Sequence, residues 1–287
     1  MPELPEVEIV KRSLKNTVKY KKIKKIIVKN RNLRFKIQRD FEKHLEGRSI
    51  SNVSRFSKYV IIVLDNLKYC LIHLGMTGTL HIVNFKQKKE VTNLSFYQSK
   101  TLPEKHNHIK IKFSNFMIIY NDPRRFGFFK ILDNKIELEK YFNKFGPEAI
   151  SANFNSKYIK NKFLNKKKNI KSCLLDQNFV SGIGNIYANE ILFLCKINPF
   201  KLANKVTDKE INKLVKYTKL VLNLAIKFGG STIKNFKNIK GKPGLFQKEF
   251  KVYDRENKNC CRKYCNGKIV KIFISNRSSF FCKFCQK

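Results

Sequence analysis

Tyr59-Val60-Ile61-Ile62-Val63-Leu64 and Tyr69-Cys70-Leu71-Ile72-His73-Leu74 flank the short segment Asp65-Asn66-Leu67-Lys68. Both runs are rich in β-branched and aromatic side chains, which pack well on a pleated surface, and Asp-Asn is turn chemistry. The stretch predicts two neighbouring strands. Similar runs lie to either side at Ile23–Val28, His108–Phe113, Phe116–Tyr120 and Phe126–Leu132. Many short strands divided by Asn, Asp and Gly turns predict an antiparallel sandwich or barrel over residues 23–132.

Upstream, the spacing changes. Val7, Val10, Leu14 and Val18 recur at intervals of three and four, which predicts an amphipathic helix, acidic at its start and basic toward its end. Downstream, a short helix near Leu138–Phe145 is broken by Gly146-Pro147. Helical spacing then predicts helices near 154–164, 170–177, 186–195 and 208–227, followed by a long loop at 229–247. The expected class is α+β. We expect a β-rich N-terminal domain with flanking helices over 1–147, a helical domain over 148–248 and a small cysteine module over 249–287.

Lys and Arg number 61 against 21 Asp and Glu, a formal net charge of +40 in 287 residues. Such a chain repels itself unless a polyanion is near, so nucleic acid is the expected partner. Drift toward Lys, Asn and Ile in an AT-rich genome would raise the same charge, so charge alone does not choose DNA over RNA. Acids at positions 3, 6 and 8 argue against a signal peptide, and no apolar run reaches the ~18 residues of a membrane span. Five of the eight cysteines fall in the last 28 residues, which suits a metal site in a reducing compartment. Cys70, Cys173 and Cys195 sit among apolar neighbours and read as buried thiols.

The chain opens Met1-Pro2-Glu3-Leu4-Pro5-Glu6. With Met1 removed, Pro2 is a free secondary amine, and an α-amino group titrates near ~8 rather than the ~10.4 of lysine. More of it is an unprotonated nucleophile at neutral pH, and Glu3 is placed to move protons beside it. The plainer reading is a helix start, since proline and acids are both favoured in a first turn.

The tail reads Cys261-Arg262-Lys263-Tyr264-Cys265, a spacer of sixteen residues, then Cys282-Lys283-Phe284-Cys285. Two close pairs around a hairpin-length spacer fit four thiolates on tetrahedral zinc, with Cys260 an alternative to Cys261 as first ligand. The spacer predicts two strands joined at Ser275-Asn276-Arg277-Ser278, presenting Arg277 as a phosphate contact or as a solvated turn residue. Gly182-Ile183-Gly184-Asn185 precedes a helix whose free N–H groups suit a phosphate, though tight turns use glycine anyway. Asp122-Pro123-Arg124-Arg125-Phe126-Gly127 and His73-Leu74-Gly75-Met76-Thr77-Gly78 are turns that carry a guanidinium and apolar tips. A base-flipping protein needs such parts, while a solvated arginine and core Phe126 and Met76 are the ordinary alternative. Lys58 opens a strand, and Lys166-Lys167-Lys168 is a solvated face or a phosphate contact.

Taken in order from Pro2 to the last cysteine, these motifs resemble the bacterial formamidopyrimidine-DNA glycosylase family. Ser57-Lys58-Tyr59, Glu104-Lys105-His106, Gly184-Asn185-Ile186-Tyr187-Ala188 and Gly241-Lys242-Pro243-Gly244 add to the match. The resemblance implies an N-terminal β-sandwich, a helix–two-turns–helix domain and a zinc-finger hairpin, with damaged double-stranded DNA in the cleft between. It implies a glycosylase for oxidised purines that also cleaves the strand, acting as a monomer in the bacterial cytosol. Pro2 would attack C1′, Glu3 would serve as general acid/base, and Lys58 and Arg277 would serve β- and δ-elimination. Met76, Arg124 and Phe126 would fill the gap left by the flipped base, and His106, Arg124, Lys167 and Asn185 would contact DNA. The loop at 229–247 would close over the extruded base.

Two departures stand out. The first zinc pair is Cys-x3-Cys from Cys261, where the family usually has two intervening residues. Residues 84–102, with Lys86, Lys88, Lys89, Leu94 and Phe96, form a longer excursion than the family needs. Competing readings are an endonuclease VIII-like glycosylase for oxidised pyrimidines, a lesion-binding zinc protein without catalysis, and an RNA-binding zinc protein. Leu4, where the pyrimidine group typically has Gly, disfavours the first. Pro2, Glu3, Lys58 and Arg277 together disfavour the second, and the last leaves the position-2 amine without a task.

Overall fold

The computed structural model describes residues 1–85, 90–91, 103–231 and 244–287. Lys86, Lys88, Lys89, Leu94 and Phe96, and Gly241-Lys242-Pro243, lie outside the described residues. The chain forms two compact units, Met1–Asn143 with Phe228–Leu245, and Lys144–Lys227 with Phe246–Lys287.

In the first unit, α1 (Leu4–Val18) carries Pro5 in its opening turn, where a missing N–H costs nothing. Its apolar stripe of Leu4, Val7, Val10, Leu14 and Val18 is fully buried. The strands are β1 (Lys25–Val28), β2 (Ile50–Phe56), β3 (Tyr59–Leu64), β4 (Tyr69–His73), β5 (Thr79–Asn84), β6 (Glu90–Val91), β7 (Asn107–Lys112), β8 (Phe116–Asn121) and β9 (Phe128–Leu132), with α2 (Phe41–Leu45) after β1. They form two antiparallel sheets, ordered β1-β7-β8-β5-β6 and β2-β3-β4-β9.

One core joins the sheets. Ile26, Leu80, Ile109 and Ile118 from the first pack with Val53, Val60, Ile62, Ile72 and Ile131 from the second, and Val10 and Leu14 of α1 join them. Burying each such side chain stabilises the fold by about 1.5–3 kcal/mol before entropy. The unbroken apolar run of β3 is explained by burial on both faces. Ile61, Leu71 and Leu132 point away from the main core and are covered by Leu138, Tyr141 and Phe142 of α3 (Lys135–Phe142). That helix starts three residues earlier than the periodicity predicts, because the Asn134 side chain caps it by accepting the Glu137 N–H at 2.9 Å.

The second unit contains α4 (Ser156–Phe163), α5 (Ile170–Leu175), α6 (Asn185–Cys195) and α7 (Asp208–Lys227). Asn155 and Asn169 cap α4 and α5 through side-chain oxygens. The segment between α5 and α6 ends in Gly182-Ile183-Gly184 and leads into a helix that is buried almost all round. β10 (Ile269–Ile274) and β11 (Arg277–Cys282) form the terminal hairpin. Ser275 and Asn276 both have φ near +50°, at 50° and 56°. The turn is therefore two residues, and Arg277 is the first residue of β11 rather than part of a four-residue tip.

Phe228–Leu245 packs with the first unit, whereas its sequence position suggests the helical domain over 148–248. The physical reason is a pair of hydrogen bonds from Ser231 to Glu6. The ends of this segment also meet. Leu245 N–H donates to Phe228 O at 3.0 Å, and a Cβ on Gly244 would collide with the Gly230 carbonyl.

Candidate active site and nucleic-acid interface

Pro2 and Glu3 are buried at the foot of α1, while Met1 is half exposed. Glu6, one turn into the helix, reaches back so that its Oε2 accepts the Glu3 N–H at 2.9 Å. Its Oε1 accepts the Ser231 N–H and hydroxyl at 2.8 and 3.0 Å. A buried carboxylate needs this many donors. Glu6 thus ties the backbone of the residue after the candidate nucleophile and Ser231 to one carboxylate.

A second acid on α1 braces the turn that precedes Lys58. Glu8 Oε2 accepts from Arg55 Nε at 2.9 Å, and Arg55 Nη1 donates to Ser57 O at 2.9 Å. Burial works against the Glu8 carboxylate, but Lys11, Arg55 and Arg12 together hold its pKa below the ordinary value. Ser57 has φ 53°, which turns the chain tightly between β2 and β3 and leaves Lys58 buried. Burial, helped by the charges of Lys58 and Arg34, pushes the His73 pKa down to about 4. The ring is neutral at pH 7, and its Nδ1 accepts the Gly75 N–H at 3.1 Å.

The turns bearing Met76, Arg124 and Phe126 touch each other. Gly75 has φ 62°, and a Cβ there would collide with the Phe126 carbonyl carbon and the Gly127 nitrogen. Met76 and Phe126 are 39% and 43% exposed, so neither is a core residue. The Arg124 guanidinium carbon lies 4.5 Å from the Phe126 ring centroid. His106 closes the short 3-10 turn Glu104–His106, half-buried, with its pKa lowered by burial and by Lys105 and His108.

In the second unit, Asn185 begins α6 and donates its Nδ2–H to Ser278 O at 2.9 Å, next to exposed Arg277. Lys171 is fully buried and donates to Ser278 O at 2.9 Å and Ser279 Oγ at 2.6 Å. The hairpin that presents Arg277 is therefore gripped from α5 and α6. Lys167 is exposed, on a backbone pinned by Asn204 N–H to Lys166 O and Ala203 N–H to Lys168 O.

The thiols brought together are Cys260, Cys265, Cys282 and Cys285, all within 4.8 Å of one another. Cys261 is exposed and outside the group, so the expectation of Cys261 as first ligand is corrected to its alternative. The reason is strand-like alternation. Cys260 N–H donates to Gly267 O, and its side chain joins Phe193, Val252, Ile269 and Phe280 in a small core, which turns the next side chain outward. Sγ separations of 3.9 Å for Cys260–Cys285 and 3.7 Å for Cys265–Cys282 are too long for disulfides. They match the ~3.8 Å edges of a tetrahedron with Zn–S bonds near 2.3 Å. Gly267 makes room, since a Cβ there would lie 2.7 Å from Cys282 Sγ.

Helix α6 carries this module along its length. Asn189 Oδ1 accepts Phe280 N–H at 2.8 Å. Glu190 accepts the N–H groups of Lys251, Val252 and Tyr253 at 2.9, 3.0 and 2.8 Å. Arg262, within the spacer of the first cysteine pair, donates to Phe193 O and Leu194 O and lies 4.5 Å from the Phe193 ring centroid.

Sequence reasoning missed Glu6, Ser231, Glu8, Arg55 and Lys171, and held Cys260 only as the alternative first thiol. Of the five missed, only Glu6 and Glu8 carried a signal, as acids on a helix whose neighbours are buried.

Residues 1–129 match the formamidopyrimidine-DNA glycosylase N-terminal domain, and residues 145–237 match the formamidopyrimidine-DNA glycosylase H2TH domain. A formamidopyrimidine-DNA glycosylase of Legionella pneumophila is 39% identical over 287 residues, covering 100% of this chain and 98% of that protein. One from Wolbachia pipientis wMel is 39% identical and is covered over 100% of both. Among solved structures, a Lactococcus lactis FPG mutant in complex with a Fapy-dG containing DNA is similar, with a TM-score of 0.89, 32% identity and 100% of both chains covered.

Proposed function

The chain belongs to the formamidopyrimidine-DNA glycosylase family of DNA-repair enzymes, and on that premise we propose that it is a bifunctional glycosylase and abasic-site lyase acting on oxidised purines, 8-oxoguanine and formamidopyrimidines, in duplex DNA. The observation that carries the reading is Pro2, a buried second residue ahead of α1, in a chain matched to the family over its whole length. The Pro2 nitrogen attacks C1′ of the flipped nucleoside and displaces the base, which departs with a proton. Glu3 handles protons at the sugar, and ring opening leaves an iminium between Pro2 and C1′. The iminium is an electron sink that acidifies the 2′ proton. Loss of that proton expels the 3′ phosphate, with Lys58 as proton donor, and a second elimination supported by Arg277 expels the 5′ phosphate.

Met76, Arg124 and Phe126 fill the space left by the flipped nucleotide, and His106, Lys167 and Asn185 hold the DNA backbone. The four thiols of Cys260, Cys265, Cys282 and Cys285 suit one zinc ion, whose role is structural because four protein ligands leave no position for water. No described helix is long and apolar enough to cross a membrane. We place the enzyme in the bacterial cytosol, working as a monomer.

The test is borohydride trapping on a duplex with 8-oxoguanine opposite cytosine. The mature protein should give a covalent adduct that Pro2→Gly abolishes while DNA binding persists. No adduct alongside normal DNA binding overturns the enzymatic reading, and a full-level adduct in Pro2→Gly overturns the assignment of Pro2.

A further inference from the structure

Asp122 is fully buried, and each of its polar atoms has a partner. Its Oδ1 accepts the Thr77 hydroxyl. Its Oδ2 accepts the Tyr120 hydroxyl at 2.9 Å and the Gly127 N–H at 2.8 Å. Its carbonyl accepts the Arg125 N–H at 3.2 Å and lies 2.8 Å from His108 Nε2, and its own N–H donates to His106 O at 3.0 Å. Thr77 in turn accepts the Arg124 N–H at 3.2 Å through the same hydroxyl. One residue therefore meets the turn bearing Met76, the turn bearing Arg124 and Phe126, and the strand entry bearing His106.

We propose that Asp122 is the positioning residue that locks Met76, Arg124 and Phe126 into a single gap-filling unit, an inference that rests on their gap-filling role. The chemistry requires a carboxylate. Two hydroxyls and an N–H converge on two oxygens, so an acceptor-only group satisfies all of them. An amide would turn an NH2 against at least one donor and leave it buried without a partner. Thr77 is needed as a hydroxyl, since it donates to Asp122 and accepts from Arg124 at once. The two tips are partly exposed apolar groups, with Arg124 over the Phe126 ring, so their direction depends on the backbone beneath. Gly75 allows the two backbones to touch, and Asp122 ties them there.

The experiment compares single-turnover excision of 8-oxoguanine opposite cytosine with excision of the same lesion opposite an abasic site, where eversion leaves no orphaned base to stabilise. The ratio of the two rates cancels any loss of active protein. In Asp122→Asn and Thr77→Val the ratio should fall about tenfold, the effect of one lost buried hydrogen bond to a charged group. Thr77→Ser, which keeps the hydroxyl, should restore it. Met76→Ala and Phe126→Ala serve as reference. If they lower the ratio while Asp122→Asn and Thr77→Val leave it unchanged, the positioning role is overturned. If none of the four moves it, the gap-filling reading itself fails. An equal loss on both substrates in Asp122→Asn and Thr77→Val also overturns the proposal, because it marks a general structural role.

Discussion

Glu6 and Ser231, 225 positions apart, are joined by two hydrogen bonds to one oxygen, from the Ser231 N–H at 2.8 Å and its hydroxyl at 3.0 Å. The same carboxylate holds the Glu3 N–H, so the start of α1 and the segment after α7 share one buried acceptor. Glu6→Ala would leave these donors unpaired, at a cost on the order of 2–4 kcal/mol. Urea midpoints should fall accordingly, with Glu6→Gln in between. A Glu6→Ala midpoint equal to the parent's would show that water replaces the carboxylate without loss.

Stability should weaken in mild acid. Burial pushes His81 down to about 4, and His73 down to about 4. An unfolded histidine titrates near ~6.5, so between these values the unfolded chain binds more protons and stability falls as pH falls. The contribution is complete above about pH 6.5 and lost toward pH 4, on the order of 3 kcal/mol for His81. Unfolding curves at pH 7.5 and 5 should separate, and His81→Gln should narrow the gap. A midpoint that rises on acidification would contradict the burial of both rings.

Zinc stoichiometry should separate the adjacent cysteines. Cys261→Ser should retain one zinc per chain, whereas Cys260→Ser should lose affinity sharply, because only Cys260 lies within the thiol group. Elemental analysis after dialysis against a weak chelator reads this directly. Loss of zinc from Cys261→Ser but not from Cys260→Ser would reverse the assignment.

Binding to undamaged duplex should weaken steeply with salt, since phosphate contacts release counterions. Replacing exposed Arg277 or Lys167 by Ala should reduce the slope of log affinity against log salt by about 1 each. An unchanged slope would remove that side chain from the phosphate contacts.

Much of the fold was legible because its causes are local. The α1 stripe and the alternating strands each act within a few residues of sequence. The sandwich itself follows from β3, whose apolar run admits burial on both faces. Candidate site residues came from the motifs that resemble the family, while their distant partners carried no mark in the sequence. Ser231 carries no mark that pairs it with Glu6, and Arg55 looks like one more arginine until Glu8 is beside it. Cys260 and Cys261 are equal in sequence, and only the bond from Cys260 to Gly267 decides which one faces inward. Asp122 read as an ordinary turn residue because, with Tyr120 and Gly127 close in sequence, the donor that ties it to another turn is Thr77, 45 positions away.

Helix α6 touches the cysteine module at Asn189, Glu190, Phe193 and Leu194, and at its first residue it holds Ser278 beside Arg277. With Asn185 and Arg277 on the DNA, metal and nucleic acid would be two ligands of one rigid strut. Thermodynamic linkage is reciprocal: whatever affinity for DNA the metal confers, DNA must return to the metal. At equilibrium a chelator should therefore strip the free protein at lower concentration than the protein on its lesion, making zinc occupancy a reporter of engagement that needs no catalysis.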